Sequence, residues 1–181
     1  MSRAVSSVTV IGLGPMGQAI VERLRVSGLA VTVWNRSPEK AIAMEKFGAA
    51  RAHTAAQAVD AGEVIVVSLT HYDAMYDVLE PAADQLPGKT IVNLSSGSPE
   101  ETRAAGAWVR ARGGRFLAGG VMADSEGVGG EDAFIFYSGE REVFDACIEA
   151  LRPLGRPEYL GADDGIAQLY YQAVLSCPGR A

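Results

Sequence analysis

Two hydrophobic rhythms alternate along the chain. Short, unbroken runs of apolar, mostly β-branched residues give way to a turn, and each turn to a stretch whose apolar positions recur every three or four residues. Residues 8–11 form the first run, and the absence of polar alternation fits a strand covered on both faces. Pro15–Val26 follows as a helix that Gly28 can end, and Ala30–Trp34 is the second strand. Further helix starts are marked by Ser37 before Pro38, Thr54 with Gln57, Thr70 with Asp73, and Ser98 with Pro99 and Glu101. Strands are predicted at 64–69 and 90–94, with weaker signals at 115–117, 133–137 and 157–160. A last helix is predicted over 165–176, with Asp163 and Asp164 placed where carboxylates suit a helix N-terminus and Pro178 stopping it. Strand and helix in strict alternation predict a doubly wound α/β domain with a mostly parallel sheet.

Composition narrows the class of partner. The 181 residues are 48% hydrophobic, enough for one real core, and the net charge of −6 argues against nucleic acid or an anionic membrane, both of which select a basic face. No apolar run reaches the roughly 18 to 20 residues of a membrane helix, and residues 1–8 lack the features of a secretory signal, so a cytoplasmic protein acting on small molecules is expected. Cys147 shares a helical face with Phe144, Ile148 and Leu151 and reads as a small core residue, while Cys177 lies in the tail. His53 and His71 have no partners at ligand spacing, and no metal is expected.

The chemistry is concentrated after the first strand. Gly12-Leu13-Gly14-Pro15-Met16-Gly17 is a G-x-G-x-x-G that closes a strand and opens a helix. In that setting Gly12 permits the tight turn, Gly14 lets the backbone approach a pyrophosphate, Gly17 lets helix pack on strand, and the helix N-terminus offers free N–H groups to the phosphates. This is the dinucleotide loop of a Rossmann-type domain. About 20 residues on, NAD-specific folds carry an Asp or Glu for the adenosine ribose. Here the position is Asn35, followed by Arg36, Ser37 and, one turn later, Lys40: an amide, a guanidinium, a hydroxyl and an ammonium, which suit the 2′-phosphate of NADP(H).

With these residues in place the chain resembles the imine reductases, a branch of the β-hydroxyacid dehydrogenase and 6-phosphogluconate dehydrogenase superfamily. The likeness runs from about Val8 to Ser176. Its more specific matches are Val33-Trp34-Asn35-Arg36-Ser37, Asn93-Leu94-Ser95-Ser96-Gly97-Ser98-Pro99-Glu100, Gly119-Gly120-Val121-Met122-Ala123 and Tyr159-Leu160-Gly161-Ala162-Asp163, leading into Leu169-Tyr170-Tyr171. The resemblance implies NADPH dependence and further cofactor contacts from Ser68, Leu69, Thr70, Asn93, Ser95 and Met122. It also implies that the last helix is the inter-domain helix and that Tyr171 faces the nicotinamide. Two roles are open to Tyr171: donating a proton or hydrogen bond to an amine, or packing as a core aromatic like Tyr170.

The sister β-hydroxyacid dehydrogenases need a lysine on that helix, whereas this chain has only Lys40, Lys46 and Lys89. Alcohol oxidation is therefore the weakest reading. An iminium acceptor is already activated and chiefly has to be oriented and kept dry. Asp124-Ser125-Glu126 departs from the apolar stretch usual in the family, and reads either as a solvated loop or as an attractor for a cation. Family members also continue into a helical C-terminal domain. The sequence therefore divides into a nucleotide-binding domain over 1–161, the start of an inter-domain helix over 162–176, and an atypical tail over 177–181. The leading expectation is the NADP(H)-binding half of an imine reductase-like enzyme acting on an imine or iminium. As an isolated, truncated chain it is expected to be inactive and to self-associate weakly through residues 165–176. A non-catalytic NADP(H)-binding module is the alternative.

Overall fold

The computed structural model describes residues 5–176. In chain order these form β1 (Ser7–Ile11), α1 (Pro15–Val26), β2 (Ala30–Trp34), α2 (Pro38–Glu45), β3 (Ala50–Arg51), α3 (Ala55–Ala61), β4 (Val64–Val67) and α4 (Tyr72–Leu79). They continue through β5 (Thr90–Asn93), α5 (Pro99–Ala111), β6 (Arg115–Met122), β7 (Phe134–Gly139), α6 (Arg141–Leu151), β8 (Arg156–Gly161) and α7 (Ile166–Ser176). The strands make one sheet in the order β3-β2-β1-β4-β5-β6-β7-β8. Every neighbouring pair from β3 to β6 is parallel. The segment joining β6 to β7 holds no helix, so β7 runs back antiparallel to β6, and β8 then pairs parallel to β7.

Both faces of the sheet are covered, which is why β1, β4 and β5 carry almost unbroken apolar runs. One face packs Val8, Val10 and Val33 against Ile20, Val21 and Leu24 of α1, Met44 of α2, and Phe144, Cys147 and Leu151 of α6. The other packs Ile11, Ile65 and Val67 against Val59 of α3, Tyr72 and Met75 of α4, Val109 of α5 and Ala167 of α7. Cys147 is a core residue as expected, and burial pushes its thiol up to about 12. The order reverses between β1 and β4, so the crevice for a ligand opens beyond their carboxyl ends.

Several boundaries depart from the periodicity. β3 has only two residues and leaves no readable period. β6 runs on to Met122, five residues past the expected end, because Gly119 and Gly120 interrupt the hydrophobic signal but not the ladder. Those glycines are needed for packing: a Cβ on Gly119 would press on Leu94 and Tyr137, and one on Gly120 would lie 2.8 Å from Cβ of Tyr171. The cap of α4 is His71, whose Nδ1 accepts from the Ala74 amide at 3.3 Å, and not Thr70. Ser98 and Glu101 form a full capping box, and Thr54 accepts from Gln57 N. Ser37 occupies the N-cap of α2 but makes no side-chain cap bond, which leaves its hydroxyl for other use.

α7 is fixed at its root. Asp163 takes a bidentate pair from Arg103 at 2.7 and 2.8 Å, which with the Gly165 amide holds its carboxyl down to about 2. Asp164 is buried against Arg110 of α5; burial pushes its carboxyl up while Arg110 pulls the other way. Ser138 donates to the Asp164 carbonyl at 2.7 Å and accepts from the Ala167 amide at 3.0 Å. Farther along, Leu169, Tyr170 and Leu175 are 51%, 49% and 63% exposed. The expectation of Tyr170 as a core aromatic is thus corrected: it is half-exposed, with its ring in edge contact with Phe136 at 5.9 Å between centroids. Cys177, Pro178 and the tail expected over 177–181 lie outside the described residues.

Candidate functional site

The loop after β1 is shaped by its glycines. Gly12 has φ +93, and a Cβ there would collide with the Ser68 carbonyl; a Cβ on Gly17 would collide with the Gly12 carbonyl. The two positions therefore serve the crossing of loop, helix and β4. Gly14 differs, since a Cβ there would meet nothing within 4 Å. Its freedom from a side chain matters to something outside the protein. Gly14 is also the N-cap of α1 and supplies no side-chain cap, so the first-turn amides of Met16 and Gly17 point outward without an intrahelical partner. This is a cradle for an anionic diphosphate.

Asn35 ties this cradle to the next strand. Its Oδ1 accepts from the Leu13 amide at 2.9 Å and its Nδ2 donates to the Ser37 carbonyl at 3.1 Å. The amide therefore sets the spacing between the phosphate loop and the β2–α2 turn. A carboxylate could do the first but not the second. Arg36, Ser37 and Lys40 stand exposed at the same rim.

The cleft here has a volume of about 560 Å³, walled by the loop from Gly12 to Met16, by Asn35, Arg36, Ser37 and Lys40, and by Ser68, Leu69 and Thr70. Gly17 lies behind the loop. The structure thus brings together most of the residues singled out in the sequence. Asn93 and Ser95 lie beneath the cleft. Asn93 is fully buried, its Oδ1 accepting from the Ser95 amide at 2.8 Å, and Ser95 Oγ accepts from the Leu69 amide at 3.0 Å. Met122, half-buried at the end of β6, lines neither this cleft nor the pocket beyond it.

Two smaller pockets extend the cleft at its ends. One, of about 180 Å³, shares Met16, Ser68 and Leu69 with it and adds Leu94, Gly120, Gln168 and Tyr171. Tyr171 is half-buried there, and no described residue bonds its hydroxyl. The other, of about 200 Å³, shares Trp34, Asn35 and Arg36 and adds Arg51 and His53. The run of three spaces, with an anion cradle in the middle and basic side chains at one end, has the layout a dinucleotide requires.

Residues 7–168 match the family described as the NAD-binding domain of 6-phosphogluconate dehydrogenase. The chain belongs to that family. It is 38% identical over 170 residues to an NADPH-dependent reductive aminase of Aspergillus oryzae, a match that covers 93% of this chain and 58% of that protein. An imine reductase from Bacillus cereus BAG3X2 superposes with a TM-score of 0.91 at 46% identity, over 93% of this chain and 59% of that one. An imine reductase from Myxococcus stipitatus in complex with NADP+ gives the same TM-score at 35% identity, over 93% and 60%. This NAD(P)-binding domain is therefore homologous to imine reductases and reductive aminases, and spans about 58 to 60% of the length of these relatives.

Sequence reasoning passed over Gln168 and Arg51, and weighed His53 only as a metal ligand. Gln168 is 1% exposed, and its amide group donates to the carbonyls of Ser95 and Gly119 at 3.2 and 2.9 Å while accepting from the Gly97 amide at 3.4 Å. An amide flanked by Ala167 and Leu169 in the first turn of a mainly apolar helix was the available signal. Asp124, whose Oδ1 accepts from the Gly127 amide at 2.7 Å, shapes its own turn, and Asp124 and Glu126 are exposed. Among the described residues, no group of three or more His, Cys, Asp or Glu could hold a metal ion, and no helix is long and apolar enough to cross a membrane.

Proposed function

We propose that this chain is the NADP(H)-binding portion of an oxidoreductase that reduces C=N bonds. One observation carries the reading: beside a cradle left open at Gly14, the ribose-recognising position holds Asn35, locked into structural bonds, with the side chains of Arg36, Ser37 and Lys40 around it making no hydrogen bond among the described residues. That rim accommodates a phosphate dianion better than a pair of ribose hydroxyls. Residues Gly12 to Gly17 would hold the pyrophosphate, Ser68, Leu69 and Thr70 the opposite wall, and Asn93 and Ser95 would hold the loops above them in place. Met122 would act through the end of β6, whose neighbours Val121 and Ala123 line the Tyr171 pocket. NADPH supplies a hydride when bound. Tyr171 would orient the amine and hold or deliver a proton at its nitrogen, in a pocket narrowed by Leu94 and Gln168.

Residues 1–161 act in this reading as the nucleotide-binding domain, and 162–176 as the helix that presents Tyr171. The Tyr171 pocket is walled by the sheet and α7, while Leu169, Tyr170 and Leu175 of that helix face outward. A hydride acceptor needs a dry site, so turnover requires a further cover over this side. The exposed apolar side chains are also the basis for weak self-association through residues 165–176, measurable by light scattering.

The reaction is tested by following NADPH absorbance with a cyclic imine, using the Myxococcus stipitatus enzyme as positive control. The 181 residues are expected to bind nucleotide without imine-dependent oxidation, and a longer protein that adds a cover is expected to oxidise NADPH. Turnover by the 181 residues alone would show that no cover is needed. Failure to bind either nucleotide would overturn the reading.

A further inference from the structure

We infer that Arg51 is a second cation for the 2′-phosphate, acting with Arg36 in the small pocket; this rests on the NADP(H) reading above. β3 places it: Arg51 pairs with Val33 in the parallel ladder, and the Ala52 amide donates to the Val33 carbonyl at 3.0 Å, so the side chain emerges beside the end of β2. There it lines the 200 Å³ pocket together with Asn35 and Arg36. Glu45, at the end of α2, accepts from Arg51 Nε at 3.0 Å.

That ion pair is too exposed to matter much for stability, with the Glu45 side chain 48% accessible. Its geometry is more telling. Glu45 takes the Nε edge, and the two terminal nitrogens of the guanidinium make no hydrogen bond among the described residues. A guanidinium fixed along one edge presents its remaining donors as a preformed fork, the arrangement that suits bidentate contact with phosphate oxygens. Arg36 and Arg51 line the same pocket and thus offer a 2′-phosphate two guanidinium groups, with Glu45 positioning the second. An adenosine lacking the 2′-phosphate gives Arg51 nothing to grip, so its contribution separates NADPH from NADH.

The test is calorimetric titration of the intact chain and of Arg51→Ala, Arg51→Lys and Arg36→Ala with NADPH, NADH, 2′,5′-ADP and 5′-AMP. Circular dichroism and the thermal midpoint monitor the fold. Arg51→Ala is expected to weaken NADPH and 2′,5′-ADP about tenfold and NADH and 5′-AMP less than about twofold, with Arg51→Lys in between because it keeps the charge and loses the fork. Equal losses for phosphorylated and unphosphorylated ligands would make Arg51 an adenine or folding residue and overturn the inference. So would an NADPH preference that survives Arg51→Ala while falling in Arg36→Ala. Equal binding of NADPH and NADH by the intact chain would instead overturn the reading on which the inference rests, and this inference with it.

Discussion

The crevice beyond β1, β2 and β4 and the pocket beside α7 are built from different materials. The cradle of the crevice is made mostly of backbone: the Gly12 turn and the uncapped start of α1 lie in one short segment, and a single side chain, Asn35, braces it to the β2–α2 turn. The Tyr171 pocket is assembled by side chains from α1, the ends of β4, β5 and β6, and α7, and the helix that completes it leaves three large apolar side chains outward. A site made of local backbone survives on its own. One made by helix docking depends on what holds the helix and on what covers it.

Glycine substitutions in the crevice are expected to have the largest effects, and they separate binding from folding within it. Gly14→Val places a branched side chain in the open cradle, and is expected to lower nucleotide affinity about a hundredfold or more while leaving circular dichroism and the thermal midpoint nearly unchanged. Gly17→Ala should do the reverse, destabilising the fold by about 2 kcal/mol or more because its Cβ meets backbone, as read by chemical denaturation. A Gly14→Val protein that binds NADPH normally would reduce the loop to a turn.

Next in size is the lock on α7. Gln168→Leu keeps the volume but strands the carbonyls of Ser95 and Gly119 and the amide of Gly97, and is expected to cost about 2 kcal/mol, concentrated in this helix. Hydrogen exchange would show it as lost protection from Ile166 to Leu175 with β1 and β4 still protected. Uniform loss across the sheet would mean that crevice and helix unfold together and the contrast is false.

Legibility follows the same division. The phosphate loop, the missing acid at Asn35, the capping box at Ser98 and the strands β1, β2, β4 and β5 could be read because each rests on neighbours in sequence. β3 could not, being two residues whose place is set by pairing with β2. The end of β6 was hidden because Gly119 and Gly120 serve the approach of Leu94, Tyr137 and Tyr171 from elsewhere in the chain. Gln168 and Arg51 were missed for one reason: their meaning lies in partners on other elements, Ser95, Gly97 and Gly119 for one, and Glu45 and the rim at Arg36 for the other. Tyr170 was misplaced because an apolar helix reads as buried whether or not its outer face is covered.

The smallest expected effect lies at the root of α7. Asp163 is held down to about 2 by Arg103, so any stability it adds is present above the ordinary carboxylate value near 4 and is lost as pH falls toward 2. The pair is well exposed, so Asp163→Asn should shift the thermal midpoint by only about a degree at pH 7 and by nothing measurable near pH 2. A pH-independent difference of several degrees would assign Asp163 a part in the core.

The central claim is that the cofactor side is set for a 2′-phosphate, and equilibrium titration of the intact chain with NADPH and NADH, repeated on Arg36→Ala, tests it most directly. NADPH should bind at least about tenfold more tightly, and Arg36→Ala should remove most of the gap by acting on NADPH alone. Equal affinities in the intact chain, or a preference untouched by Arg36→Ala, would contradict the account.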